Sequence, residues 1–277
     1  MKIAHILLWS CFLLINGCSY QSAIVRIENA EQQAKEYDWQ RAVLETNSFE
    51  LVSYVPTNTT AVEILTVYIE GDGFAWKNSH RASSNPTPHN PVALNLALKH
   101  PKGAAAYLAR PCQYHIDLDN TSLCSQSYWT NKRYSKEVVD ASEQALTQLK
   151  ERFGATQLIL IGYSGGATIA ALLAAQRNDV IQLITVAGNL NHQAWTTLHN
   201  LSPLTGSLNP ADYRDKLQSI PQIHFVGEDD KNIPVSLVQD FIATYDSDDF
   251  TQVIVVAEQS HNCCWQDIWQ SLIFDKY

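Results

Sequence analysis

The sequence predicts an α/β fold with a mostly parallel central sheet and helices on both faces. Three observations predict it. Short apolar runs such as residues 62–69 and 158–161 recur along the chain, and runs of about four to eight such residues read as buried strands. Between them lie longer stretches of helical period, such as residues 136–152. The two kinds of segment alternate, which calls for crossover helices on both faces of a parallel sheet.

The elements follow in order. Residues 28–45 are polar with helical character and are expected at the edge of the domain or as part of a tether. Residues 49–55 alternate apolar and polar side chains, the pattern of a half-buried strand, and residues 62–69 are richer in branched residues, as in a central strand. Residues 83–91 contain Pro86, Pro88 and Pro91 and form a loop. Residues 104–109 read as a short buried strand. Residues 136–152 carry a stripe of Val138, Val139, Ala145, Leu146 and Leu149, ended by Gly154. Residues 158–161 are a strand, 165–176 a small-residue helix, and 180–186 a strand. Residues 191–216, with Pro203, Gly206 and Pro210, have no clear period and read as a small insertion over one face. Strand 223–226, helix 236–245, strand 252–257 and helix 264–274 complete the chain.

The 277 residues are 45% hydrophobic and 17% charged, an ordinary globular balance. The formal net charge is -9. With no basic run, that charge argues against nucleic acid, whose phosphates need Lys and Arg. Lys2 precedes a nearly unbroken apolar run over residues 6–15. The run is too short for a membrane-spanning helix, which needs about twenty residues, and it fits a signal peptide over residues 1–17. Its end, Gly17-Cys18-Ser19, resembles a bacterial lipobox. That resemblance implies lipidation of Cys18 as the mature N-terminus, and Ser19 in place of Asp implies sorting to the outer membrane. An ordinary cleaved signal and an uncleaved anchor are the alternatives. The expected division is therefore leader 1–17, N-terminal segment 18–48 and one domain over 49–277.

Four cysteines remain, Cys112, Cys124, Cys263 and Cys264. An even number in an exported chain reads as disulfides. Cys112–Cys124 closes a short loop and is preferred. Cys263 and Cys264 either bridge each other or pair elsewhere. Zinc is the rival reading, but no histidine follows at ligand spacing.

Gly162-Tyr163-Ser164-Gly165-Gly166 matches G-x-S-x-G, with a buried strand leading in and a small-residue helix leading out. That context holds a serine on a tight turn above the sheet, with a helix N-terminus behind it that favours developing negative charge. A serine hydroxyl needs a base to take its proton, and the base needs an orienting carboxylate. Glu228, Asp229 and Asp230 follow one strand, and His261 follows another. A Gly-rich turn without chemistry and a phosphate-binding turn are the competing readings of the motif. Neither G-x-G-x-x-G nor a Gly-Lys-Ser/Thr signature is present.

From residue 49 to the end the chain resembles the α/β-hydrolase superfamily. More narrowly, Tyr68-Ile69-Glu70-Gly71-Asp72-Gly73, Leu108-Ala109-Arg110-Pro111-Cys112-Gln113-Tyr114 and His261-Asn262-Cys263-Cys264-Trp265 resemble exported bacterial hydrolases. The superfamily's chain order of serine, acid, histidine implies Ser164 as nucleophile and His261 as base. His80, His89, His100 and His115 precede Ser164, His192 and His199 precede the acid, and His224 lies inside an apolar strand. Gly227-Glu228-Asp229-Asp230-Lys231-Asn232-Ile233-Pro234 resembles the superfamily's acid-bearing segment, in a register that selects Asp230, with Asp229 and Glu228 as alternatives. The resemblance also implies an oxyanion hole from the backbone N–H groups of Gly165 and Asp72. Where relatives carry His-Gly, this chain has Glu70-Gly71. The Asp72 side chain would repel an oxyanion unless it caps the turn or is paired, with Arg81 and Arg110 as candidate partners. No cofactor is needed for this chemistry.

The implied function is hydrolysis of an ester through an acyl-enzyme in the cell envelope. A serine peptidase acting on short peptides and a non-catalytic envelope-binding lipoprotein are the alternatives. Trp76 and Trp195 are candidates for the wall of an acyl site, or for ordinary packing. The expected partners are a small ester or amide and, through the lipid, a membrane.

Overall fold

A computed structural model describes residues 21–116, 118 and 124–274. The expected leader and Cys18 lie outside the described residues. The first helix, α1 (Ala23–Glu36), is capped by Ser22, whose hydroxyl accepts from the Val25 N–H. Strands β1 (Trp39–Glu45), β2 (Glu50–Pro56) and β3 (Ile64–Ile69) follow. A small hairpin of β4 (Trp76–Asn78) and β5 (Arg81–Ala82) precedes α2 (Val92–Leu98) and β6 (Ala104–Leu108). Then come α3 (Lys136–Arg152), β7 (Gln157–Tyr163), α4 (Gly165–Gln176), β8 (Val180–Val186) and α5 (His192–Leu198). The chain continues with α6 (Arg214–Leu217), β9 (Gln222–Gly227), α7 (Val235–Ile242), β10 (Thr251–Val256) and α8 (Trp265–Ile273).

Among the described residues, eight strands form one sheet in the order β1-β2-β6-β3-β7-β8-β9-β10. β2 is antiparallel to both its neighbours, and every other pair is parallel. The alternation of side chains along a strand assigns each residue to one of two cores. In β3, Leu65, Val67 and Ile69 join the core that also holds residues of α3, α4 and α7. Tyr68 joins the opposite core, with residues of α1, α2 and α8. β7 divides likewise, Leu158 and Leu160 to one side, Ile159 and Ile161 to the other. Both faces are covered, so these strands read as continuous apolar runs. Leu160 is fully buried, and its truncation to Ala is expected to cost about 2–5 kcal/mol.

Besides the β4–β5 hairpin and the short helices α5 and α6 that begin within residues 191–216, the structure differs from the expected elements in three places. Residues 28–45 are not one helical segment, because α1 ends at Glu36 and Trp39–Glu45 is the edge strand of the sheet. An edge strand needs only one buried neighbour, and in β1 only Leu44 is buried, so its composition imitates a polar helix. The expected boundary at residue 49 therefore does not divide the structure, since the sheet begins at Trp39 and α1 packs on it through Ile27, Ala30 and Ala34. The third difference is α2, whose seven residues are all buried and so show no amphipathic period.

Cys112 is bonded to Cys124, and Cys263 to its neighbour Cys264. Among the described residues no helix is long and apolar enough to cross a membrane, and no group of three or more His, Cys, Asp or Glu could hold a metal ion.

Candidate active site

Ser164 stands between the end of β7 and the start of α4, with φ of 51° and ψ of -119°. That backbone is strained for a residue with a Cβ, and it persists because its surroundings leave no alternative. A side chain at Gly162 would strike the backbone of Ala167, and one at Gly166 would strike the carbonyls of Ile69 and Glu70. The close approach of α4 to β3 and β7 thus depends on glycine on both sides of the serine. Gly71, at the end of β3, lies against Tyr163 and the Cβ of Ser164.

Ser164 Oγ is 2.9 Å from His261 Nε2. His261 Nδ1 is 2.8 Å from Asp230 Oδ2. Asp230 is 3% exposed, and its other oxygen, Oδ1, accepts from the Asn232 and Ile233 N–H groups at 2.8 Å each. These two donors stabilise the carboxylate without carrying a formal charge. Asp229 and Glu228 are exposed, and neither has a contact with His261 among the described residues. The register that selects Asp230 is therefore the one the structure places beside the imidazole.

Two neighbours of His261 were not foreseen. Tyr163 donates its hydroxyl to the His261 carbonyl at 3.0 Å and to Asn262 Oδ1 at 2.8 Å, tying the histidine loop to the turn that carries the serine. Burial pushes the Tyr163 phenol well above its ordinary value, so it stays a donor. Asn232 places its amide nitrogen 3.0 Å from His261 Nε2. Trp195 Nε1–H, which can only donate, meets Asn232 Oδ1 at 3.2 Å and so fixes which end of the amide faces the imidazole. His199 holds the Asn232 carbonyl at 2.8 Å. The insertion that carries Trp195 and His199 is thereby connected to the base.

Asp72 is neither a simple turn cap nor a partner of Arg81, which lies exposed in β5. Its carboxylate is paired with Arg110 Nη1 at 3.3 Å and Arg133 Nη1 at 2.6 Å, and it accepts from the Tyr134 hydroxyl at 3.0 Å. Burial pushes the carboxyl up, and Arg133 and Arg110 pull it down further, leaving it below the usual carboxylate range. Arg110 was weighed as a partner from the sequence; Arg133 and Tyr134 carried no signal there. A Cβ at Gly165 would collide with this carboxylate, so the cluster lies immediately beside the nucleophile turn. Gly165 is the first residue of α4, and its N–H has no acceptor within the helix. Glu70, 1% exposed, accepts from the N–H groups of Gly71 at 2.9 Å and Ala93 at 3.3 Å, which holds the turn in place. Burial pushes its carboxyl up to about 7.

Ser164 and His261 open on a cleft of about 510 Å³ at the C-terminal ends of the parallel strands, with Asp230 buried behind the imidazole. Phe74, Trp76 and Trp195 line it, together with Arg133 and Asn262. Trp76 is 43% exposed. Both tryptophans thus stand on the cleft wall, where the alternative had been ordinary packing. His224, by contrast, is a core residue. It is fully buried and bonded to the Thr185 hydroxyl at 2.8 Å, and burial drives its imidazole down to about 3.

A mostly parallel sheet with a strained serine at a strand-to-helix turn, facing an imidazole and a buried carboxylate, defines an α/β hydrolase. The family model described as Serine hydrolase (FSH1) matches residues 106–263, more than half of the chain, and the chain belongs to that family. Solved structures agree on the fold. An esterase of Pyrococcus furiosus is 13% identical with a TM-score of 0.59, the match covering 88% of this chain and 92% of that one. Est1E of Butyrivibrio proteoclasticus is 13% identical with a TM-score of 0.57, covering 85% of this chain and 96% of that one. An alpha-beta serine hydrolase homologue of Coxiella burnetii is 16% identical with a TM-score of 0.55, covering 84% and 93%. A sequence search among curated proteins finds no match.

Proposed function

We propose that this serine hydrolase cleaves carboxylic esters through an acyl-enzyme. The single observation that carries the reading is the linked pair of contacts, 2.9 Å from Ser164 Oγ to His261 Nε2 and 2.8 Å from His261 Nδ1 to Asp230 Oδ2, open to a cleft with aromatic walls. Ser164 attacks the carbonyl carbon while His261 takes its proton. The tetrahedral oxyanion rests on the N–H groups of Gly165 and Asp72. His261 returns the proton to the leaving alcohol, and water then enters by the same route. Asp230 holds the imidazole in the tautomer with Nδ1–H and stabilises the imidazolium.

The leader and Cys18 support a further part of the proposal, a lipid-anchored enzyme of the bacterial cell envelope. Metabolic labelling with a palmitate analogue tests it: the wild-type chain is expected to incorporate label and Cys18→Ser to lose it. The chemistry is tested by a fluorophosphonate probe and by a panel of acyl esters and aminoacyl amides. Labelling of wild type but not Ser164→Ala is expected, with turnover of esters. Failure of the wild type to label would instead favour a binding protein on a hydrolase scaffold, and preferential cleavage of amides a peptidase.

A further inference from the structure

We infer that the substrate carries a carboxylate, and that the Arg133 guanidinium on the cleft wall receives it. The inference rests on the serine-hydrolase reading and names the substrate class for that same site.

Arg133 is the only Lys or Arg among the described residues lining the cleft that Ser164 opens on. It is 6% exposed, so its charge is screened far less by water than a surface charge would be. Its Nε donates to the Thr130 carbonyl at 2.5 Å and its Nη1 to Asp72 at 2.6 Å. Its Nη2 makes no hydrogen bond among the described residues, and it is not among the polar atoms sealed from solvent. A guanidinium on the cleft wall with two of its three nitrogens anchored is a preorganised donor for a carboxylate.

The surrounding charges point the same way. Arg110 and Arg133 share one carboxylate, Asp72. Arg26, also buried, pairs only with the carbonyls of Thr87, Asn85 and Ser22 among the described residues, and stands over the ring of Phe74, a cleft residue. Asp230 faces the opposite way, behind His261. Glu70, raised to about 7 by burial, is only a partial counter-charge near neutrality. On the nucleophile side of the cleft Arg133 stands with Asp72 and Glu70, and Arg110 and Arg26 lie behind that wall, so the acids there are compensated in a chain whose net charge is -9. His89, on the same wall, is lowered chiefly by burial and further by Arg26. Phe74, Trp76 and Trp195 complete a site for an apolar chain or ring that ends in an anion.

Two pairs of esters test this on the wild-type enzyme. In one the charge is on the acyl side, para-nitrophenyl hydrogen adipate against para-nitrophenyl hexanoate. In the other it is on the leaving group, para-butyryloxybenzoate against its methyl ester. In at least one pair kcat/KM is expected to favour the anion by about tenfold or more, the worth of one charge-assisted hydrogen bond. That ratio should shrink in about half-molar sodium chloride, fall by about tenfold in Arg133→Gln, and be only partly kept in Arg133→Lys, which retains the charge without the anchored fork. Ratios at or below one in both pairs overturn the inference while leaving the hydrolase reading intact, as does a ratio that Arg133→Gln leaves unchanged. Absence of both ester turnover and fluorophosphonate labelling overturns the hydrolase reading itself.

Discussion

Two aspartates stand on either side of Ser164, and the protein satisfies them in opposite ways. Asp72 is met by two guanidiniums and a phenol, whereas Asp230 is met by two backbone N–H groups and an imidazole. Cations cancel a carboxylate, while neutral donors stabilise it and leave its charge in place. Next to the proposed oxyanion site a naked carboxylate would oppose the reaction, and the arginines remove that opposition. Behind His261 a carboxylate is useful only if its charge persists, because that charge stabilises the imidazolium. On the proposed mechanism, the sign of the surroundings separates the structural acid, Asp72, from the chemical one, Asp230.

The largest effect tests the residue that both acids flank. Ser164→Ala is expected to lower ester turnover on the order of a millionfold, measured as kcat on the best ester of the panel. Asp230→Asn should lower kcat on the order of ten-thousandfold, since the amide presents the wrong partner to Nδ1. Asp72→Ala should act on the fold, leaving two buried guanidiniums without their acid at a cost of about 3–5 kcal/mol in urea unfolding. Scored per active site by fluorophosphonate titration, its loss of kcat should be much smaller than that of Asp230→Asn. If Asp72→Ala proves the more inactive per titrated site and Asp230→Asn the less stable, the contrast between the two acids is inverted.

Glu70 is a third buried acid with neither kind of full compensation, and it sharpens the comparison at smaller amplitude. Its folded form holds a proton up to about 7, above the value it has when unfolded. Between the two values the folded chain binds more protons than the unfolded chain, so stability falls as pH rises through that window. Glu70→Gln keeps an acceptor for the Gly71 and Ala93 N–H groups but has no charge to bury. Its stability relative to wild type should therefore rise on the order of 1–3 kcal/mol between about pH 5 and pH 8. Parallel urea-unfolding results at the two pH values would show that Glu70 does not titrate across them.

What was legible in the chain depended on how local its cause was. The strand Gln157–Tyr163, the turn at Ser164 and the helix Gly165–Gln176 are contiguous, and their apolar and glycine pattern is itself the physical reason for the elbow. Asp230 and His261 could be found because each directly follows a strand, and neighbouring parallel strands end on the same edge of the sheet. β1 was missed because an edge strand with one buried residue leaves no mark of alternation. α2 was missed for the reverse reason, since a wholly buried helix has no polar face.

By itself the amino-acid sequence determined the parallel α/β architecture, the strained serine turn and the succession of acid and histidine, because period, glycine placement and chain order are properties of neighbours along the chain. Tertiary structure alone decided that Asp72 meets Arg133 across 61 residues, that Trp195 sets the amide of Asn232 against His261 across 37, and that a guanidinium faces the cleft. These depend on which loops the sheet brings to one edge. Burial there turns ordinary charges and amides into strong local fields, a condition set by packing and not by local sequence.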